Sequence, residues 1–154
     1  MRIMTDEEKI GIKTRVSAII FIDKKLVVTK HYVKGFGTYY LLPGGGIEKG
    51  ESPDEALGRE IKEEINLDVK ERRLIFYRTG YNNKDTYLTL IFLCKTKGKL
   101  KIPKGEKHVR SIELIKNAEE LKKLKFYPKH ITDKIFSKLP ERAEFLGKFK
   151  FPED

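Results

Sequence analysis

Residues 45–67 read GGIEKGESPDEALGREIKEEINL, a glycine turn followed by a helix-forming run, and this stretch decides the rest of the reading. Ser52, Pro53 and Glu55 form a helix start: Ser52 as the N-cap, Pro53 as the first helical residue, and Glu55 as the partner in a capping box. From there Leu57, Ile61 and Ile65 recur every four residues and predict a buried apolar stripe on a helix over 53–65. Asn66 follows as a left-handed cap, because asparagine tolerates positive φ nearly as glycine does.

Beside the stripe, Glu60, Glu63 and Glu64 fall within about a third of the helix circumference. That placement is electrostatically unfavourable. The C-terminal end of a helix prefers cations, and Glu60 and Glu64 repel each other at i,i+4. A solvated acidic face softened by Arg59 and Lys62 is one reading; a divalent-cation site is the other. A solvated face does not require a preceding glycine turn with Glu51 and Arg59 at these separations, which favours the cation site. Hard carboxylate oxygens suit Mg²⁺ or Mn²⁺, ions that retain water and bind substrate phosphates.

The spacing Gly45, Glu51, Arg59-Glu60-Ile61, Glu63-Glu64 and Leu67 resembles the Nudix box, with Asn66 standing where that pattern has glycine. The similarity extends upstream through Arg15–Phe21, RVSAIIF, and through Tyr40-Leu41-Leu42-Pro43-Gly44-Gly45. The resemblance implies an α/β (α+β) fold, an α/β/α sandwich around a mixed sheet, and a metal-dependent hydrolase of nucleotide pyrophosphate bonds. It further implies that Glu60, Glu63 and Glu64 are metal ligands or supply the base, and that Gly44 offers its carbonyl oxygen to the metal. Glu51 either joins the ligands or pairs with Arg59, orienting it and holding the loop beside Gly45 against the helix. The general base varies in the family; Glu63 and Glu60 are candidates, and so is Glu106 from a later loop.

Arg15, Lys30 and Arg78 are candidate phosphate contacts, with exposed strand or loop positions as the alternative. Tyr32, Tyr39, Tyr81 and Phe126 are candidates to stack on a base, or else core residues. His31 and His108 read as structural or surface residues, since no histidine pair has zinc-like spacing. Gly44-Gly45-Gly46 is not a P-loop, for the following Lys-Ser/Thr is absent. Family members that cleave ADP-ribose often carry a proline about fifteen residues past the box, and 80–84 has none. Nucleoside triphosphates are therefore the default substrate class, with ADP-ribose, dinucleoside polyphosphates, RNA 5′ ends or non-catalytic nucleotide binding as alternatives.

Composition bounds these readings. A chain of 154 residues is expected to form a single domain, with residues 1–11 as an N-terminal arm. The net charge of +10 favours polyanionic partners; a nucleotide meets that requirement, and RNA is possible but not favoured over a lysine-rich solvated surface. No apolar run is long enough to span a membrane, and the charged N-terminus lacks a signal-peptide core, so a cytoplasmic location is expected. Cys94 is alone, which excludes an intrachain disulfide. A monomer and a homodimer fit equally well.

Outside the box, Val16–Phe21 and Lys25–Thr29 predict a hairpin turning at Asp23-Lys24. Tyr39–Leu42, Val69–Gly80, Asp85–Lys95 and Val109–Leu114 predict further strands, Gly35–Thr38 a loop, and Lys97–Lys107 an irregular or edge segment. Ala118–Leu124 and Pro128–Leu139 are expected to be helical, the second ending at Pro140.

Overall fold

The computed structural model describes residues 11–151; the arm expected over 1–11 lies, apart from Gly11, outside them. The box helix, α1, spans Pro53–Ile65 as expected. Ser52 Oγ accepts from the Glu55 amide at 3.1 Å. Asn66 sits at φ 64° and ψ 22°, and its amide closes onto the Lys62 carbonyl. Its side chain also donates to the Lys99 carbonyl at 2.8 Å, so asparagine ties the following loop to the helix end in a way glycine cannot.

The Asp23-Lys24 turn joins β1 (Ile12–Ile22) to β2 (Lys25–Val33), with both turn residues at positive φ, the geometry that matches strand twist in a tight hairpin. The remaining strands are β3 (Gly37–Leu41), β4 (Gly44–Gly46), β5 (Asp68–Tyr81), β6 (Thr86–Lys97), β7 (Ser111–Ile115), β8 (Phe126–Tyr127) and β9 (Glu144–Lys150). The path runs β8-β3-β2-β1-β6-β5-β9, with β4 on β1 and β7 on β2. The β1–β6, β3–β8 and β5–β9 pairs are parallel and the others antiparallel, giving a mixed sheet.

Alternation along β1 divides the core in two. Val16, Ala18 and Ile20 pack with Ala56, Leu57, Ile61 and Ile65 of α1. Ile19 faces the other way, with Leu26, Ile75 and Ile91, onto Leu121 of α2 (Ala118–Lys122) and Ile135 of α3 (Thr132–Ile135). Helices thus cover both faces, as the expected α/β/α sandwich requires. Cys94 is buried on the α1 side, and burial pushes its thiol up to about 12, so it stays protonated.

The hairpin strands touch only at Phe21–Leu26 and Ile22–Lys25 in register. Farther back, β4 takes that edge of β1, pairing Arg15–Ser17 with Gly46–Gly44. The two strands therefore splay, and a cleft opens between β1, β6 and β5 on one side and β3 on the other.

Several expectations need correction. The strand expected over Tyr39–Leu42 begins within the expected loop, at Gly37. The helix expected over Pro128–Leu139 is a 3-10 turn, Lys129–Ile131, leading into the single-turn α3. Thr132 Oγ1 donates to the Lys129 carbonyl at 2.9 Å, a local bond that competes with helical pairing. β4, β8 and β9 were not expected, because each is short or at an edge and exists through distant partners.

Candidate active site

The glycine turn lies directly on the acidic face of α1. The Gly44 amide donates to Glu64 Oε1 at 2.6 Å. A Cβ on Gly44 would strike the Val16 carbonyl, and one on Gly45 would overlap the Glu60 carboxylate. Both positions require glycine so that β4 can lie between β1 and the helix.

Arg59 links the carboxylates. Its Nε donates to Glu51 Oε1 at 2.5 Å and its Nη2 to Glu51 Oε2 at 2.9 Å. Nη2 also reaches the Gly46 carbonyl at 3.0 Å, while Nη1 reaches Glu60 at 2.9 Å and Glu63 at 3.3 Å. Of the two arrangements open for Glu51, the structure has the pairing with Arg59. That hydrogen bonding, with the Glu48 amide, lowers the Glu51 carboxyl to about 2. The fork of donors suits this bridging, which a lysine could not reproduce.

Glu64 is buried, and burial pushes its carboxyl up to about 8; the charges of Glu60 and Glu106 add to the rise, while the Gly44 amide and Arg15 oppose it. Among the described residues no three acidic, histidine or cysteine side chains already converge as a cage for an ion. Arg59 occupies the space between Glu60 and Glu63 and partly offsets their charge. The donor chemistry nevertheless fits a hard divalent cation: the oxygens are carboxylate, and the crowding that raises Glu64 is what a cation would relieve.

Glu106 lies within electrostatic reach of Glu64. Its Oε1 accepts from the His108 amide at 2.5 Å and the Val109 amide at 3.2 Å, which fixes the carboxylate at the rim of the 98–110 loop. His31 is buried beside it, with Nε2 2.8 Å from Thr29 Oγ1 and its ring stacked on Tyr39 at 5.4 Å. Burial lowers its pKa, as do the charges of Arg15 and His108, against the opposing effects of Glu106 and the His108 backbone. His31 thus has the structural setting expected of it.

The cleft holds a cavity of about 400 Å³ lined by Arg15, Ser17, Tyr39, Arg78, Tyr87, Tyr127 and Phe151, among others. Arg15 stands opposite Thr89 on β6, and Thr89 opposite Arg78 on β5, so the two arginines lie in one row across three strands. Arg15 is the link to the carboxylates: it pairs with Gly46 on β4, the strand whose first residue, Gly44, meets Glu64. A wider groove of about 770 Å³ lies elsewhere, lined by Asp54, Lys70, Glu71, Arg72 and Lys95. Both of its carboxylates are paired, Asp54 with Arg72 at 2.8 Å and Glu71 with Lys95 at 3.1 Å, and it reaches none of the clustered carboxylates on α1.

Of the candidate ligand contacts, Arg15, Arg78 and Tyr39 line the cavity, whereas Lys30 and Tyr81 do not. Lys30 alternates with Thr29 and His31 on β2 and so points to the opposite face. Tyr81 follows Gly80, which faces the cavity side, and is turned outward beneath Lys148. Phe126 is core and Tyr32 is exposed. Tyr87, Tyr127 and Phe151 went unrecognised as cavity residues. The alternation Tyr87, Thr89, Ile91 along β6 carried a signal for the first; Phe149 and Phe151 alternate with lysine and proline in a tail that gave no turn signal.

A mixed sheet between helices, with a carboxylate-bearing helix docked on a glycine turn, defines a Nudix hydrolase. The NUDIX domain model matches residues 12–135, and the chain belongs to that family, as a pyrophosphohydrolase acting on phosphoric anhydride bonds. It is 31% identical over 90 residues to an 8-oxo-dGTP diphosphatase of Proteus vulgaris, an alignment covering 56% of this chain and 80% of that one. It is 42% identical over 60 residues to an ADP-ribose pyrophosphatase of Methanocaldococcus jannaschii, covering 39% of this chain and 36% of that one. A MutT protein from Bacillus halodurans has the same fold, with a TM-score of 0.71 at 18% identity over 92% of this chain and 93% of that one. Among the described residues, no helix is long and apolar enough to cross a membrane.

Proposed function

We propose that this protein hydrolyses nucleoside triphosphates, damaged nucleotides among them, to the monophosphate and pyrophosphate, with Mg²⁺ or Mn²⁺ as cofactor. The observation that carries the reading is the continuity from Glu64, docked on Gly44, along β4 to Arg15 opposite Gly46 and into an aromatic-lined cavity. The similarity to an 8-oxo-dGTP diphosphatase over 80% of that protein supports the triphosphate over other pyrophosphate substrates.

Glu60, Glu63, Glu64 and the Gly44 carbonyl would hold the cation, which when bound supplies Lewis acidity at the phosphates and lowers the pKa of a water. Arg15 binds the phosphate chain where it enters the cavity. Water attacks one phosphorus of the bridge between the α- and β-phosphates. The bridging P–O bond breaks so that monophosphate and pyrophosphate separate, and a carboxylate accepts the proton the water loses. Glu106 is the favoured acceptor, because two backbone amides hold it beside Glu64 while Glu60 and Glu63 are engaged by Arg59. Arg59 and Glu51 hold the glycine turn against the helix, and Gly45 leaves room for Glu60.

The test is a panel of nucleoside triphosphates, ADP-ribose, dinucleoside polyphosphates and 5′-triphosphorylated RNA, each with Mg²⁺ and with Mn²⁺. Phosphate and pyrophosphate release are read separately. Pyrophosphate from nucleoside triphosphates is the expected result. Turnover of ADP-ribose or RNA ends in preference to free nucleotides would overturn the substrate assignment, and full turnover in chelator would overturn the cofactor.

A further inference from the structure

The family match ends at residue 135, and β9 follows it. This strand runs parallel to the outer edge of β5, and the Phe151 amide extends the ladder by donating to the Tyr81 carbonyl at 2.8 Å. The tail therefore sits in a defined register, which places two of its aromatic rings around Arg78. The Arg78 guanidinium carbon lies 5.4 Å from the Phe149 ring centre and 5.1 Å from that of Phe151. Phe149 is in turn stacked on His130 at 4.1 Å with 15° between the planes. Phe151 meets Tyr87 edge-on, at 6.1 Å and 88°. Its ring also covers Gly80 so closely that a Cβ there would collide with it.

We propose that β9 is a specificity element of this enzyme, and that Phe151 forms the wall on which the nucleobase of the substrate stacks. The inference rests on the nucleotide reading above. Arg15 marks the phosphate end of the cavity, because it pairs with Gly46 in the glycine strand that meets Glu64. Arg78 lies two strands farther along the same row, about 10 Å away at ordinary strand spacing. A nucleotide held by its phosphates at Arg15 extends its base toward Arg78 and Phe151. Tyr39 and Tyr127 line the same cavity from β3 and β8. A planar aromatic ring attached to a phosphate chain suits such walls, since every base has a π-face. The cation over Phe149 and Phe151 holds the wall in place.

Two variants test this. Phe151→Ala removes the wall, and Gly80→Ala displaces the ring from beneath, from a different strand. Steady-state kinetics are measured on a nucleoside triphosphate and on methyl triphosphate, which lacks a base, with circular dichroism and melting to confirm folding. Each variant is expected to raise KM for the nucleotide far more than it lowers kcat. The preference for nucleotide over methyl triphosphate, as a ratio of kcat/KM, should fall about tenfold or more. Phe151→Tyr should restore it. An unchanged ratio in a folded variant, or an equal loss on both substrates, overturns the proposal. If the wild type hydrolyses no nucleoside triphosphate, the substrate reading fails. Calorimetric binding of nucleoside monophosphates then decides the wall separately: weakened binding in Phe151→Ala supports it, and unchanged affinity overturns it.

Discussion

The Gly44 amide lies 2.6 Å from Oε1 of Glu64, so the start of β4 and the carboxylate near the end of α1 are held as one unit. Glu64→Gln keeps an oxygen for this bond and removes the negative charge that the carboxyl takes on when a cation binds. At a hundred times its dissociation constant, Mg²⁺ should raise the stability of the wild type by about 2.7 kcal/mol, and most of that gain should vanish in the variant. Turnover should fall about a hundredfold or more, the scale of losing one preorganised electrostatic contact. Melting curves with Mg²⁺ and with chelator, beside single-turnover assays, check both. A variant with wild-type turnover would refute the role of Glu64.

Gly45→Ala should damage activity more than folding. The new methyl group overlaps the Glu60 carboxylate, which can swing away toward solvent, whereas the backbone of β4 is paired and resists movement. The expected outcome is a loss of turnover of about tenfold or more, with a raised Mg²⁺ requirement. Equal Mg²⁺ dependence in the two proteins would separate Glu60 from cation binding.

Glu106→Gln is the discriminating change for the base. A glutamine oxygen still accepts from the His108 and Val109 amides, so the 98–110 loop keeps its anchor. If Glu106 accepts the proton, kcat falls about a hundredfold or more and the acidic limb of the pH–rate profile is altered. Little change would transfer the role to Glu63 or Glu60.

His31 should remain neutral below its ordinary pKa. Burial first, and then Arg15 and His108, lower it, outweighing Glu106 and the His108 backbone. The unfolded chain therefore binds more protons than the native one in the window between the lowered folded pKa and about 6.5. Stability contributed by neutral His31 is full above that value and is lost as pH falls through the lowered folded pKa. An NMR titration of the ring should show a midpoint below 6.5; a midpoint above it would contradict this setting.

The amino-acid sequence by itself determined the box helix, its Ser52 and Asn66 caps, its apolar stripe and its clustered glutamates, along with the Asp23-Lys24 hairpin. These features are local: caps, turns and periodicity act over a few residues, so neighbouring side chains carry the information. The tertiary structure alone decided that Glu51 is bound on both oxygens by Arg59, that Glu106 sits close enough to raise Glu64, and that Tyr81 turns away while Tyr87 faces the cavity. It alone also placed β4 on β1 and Phe151 beside Arg78. Each of these depends on strand partners and register between distant segments, and a shift of one residue turns every side chain of a strand to its other face.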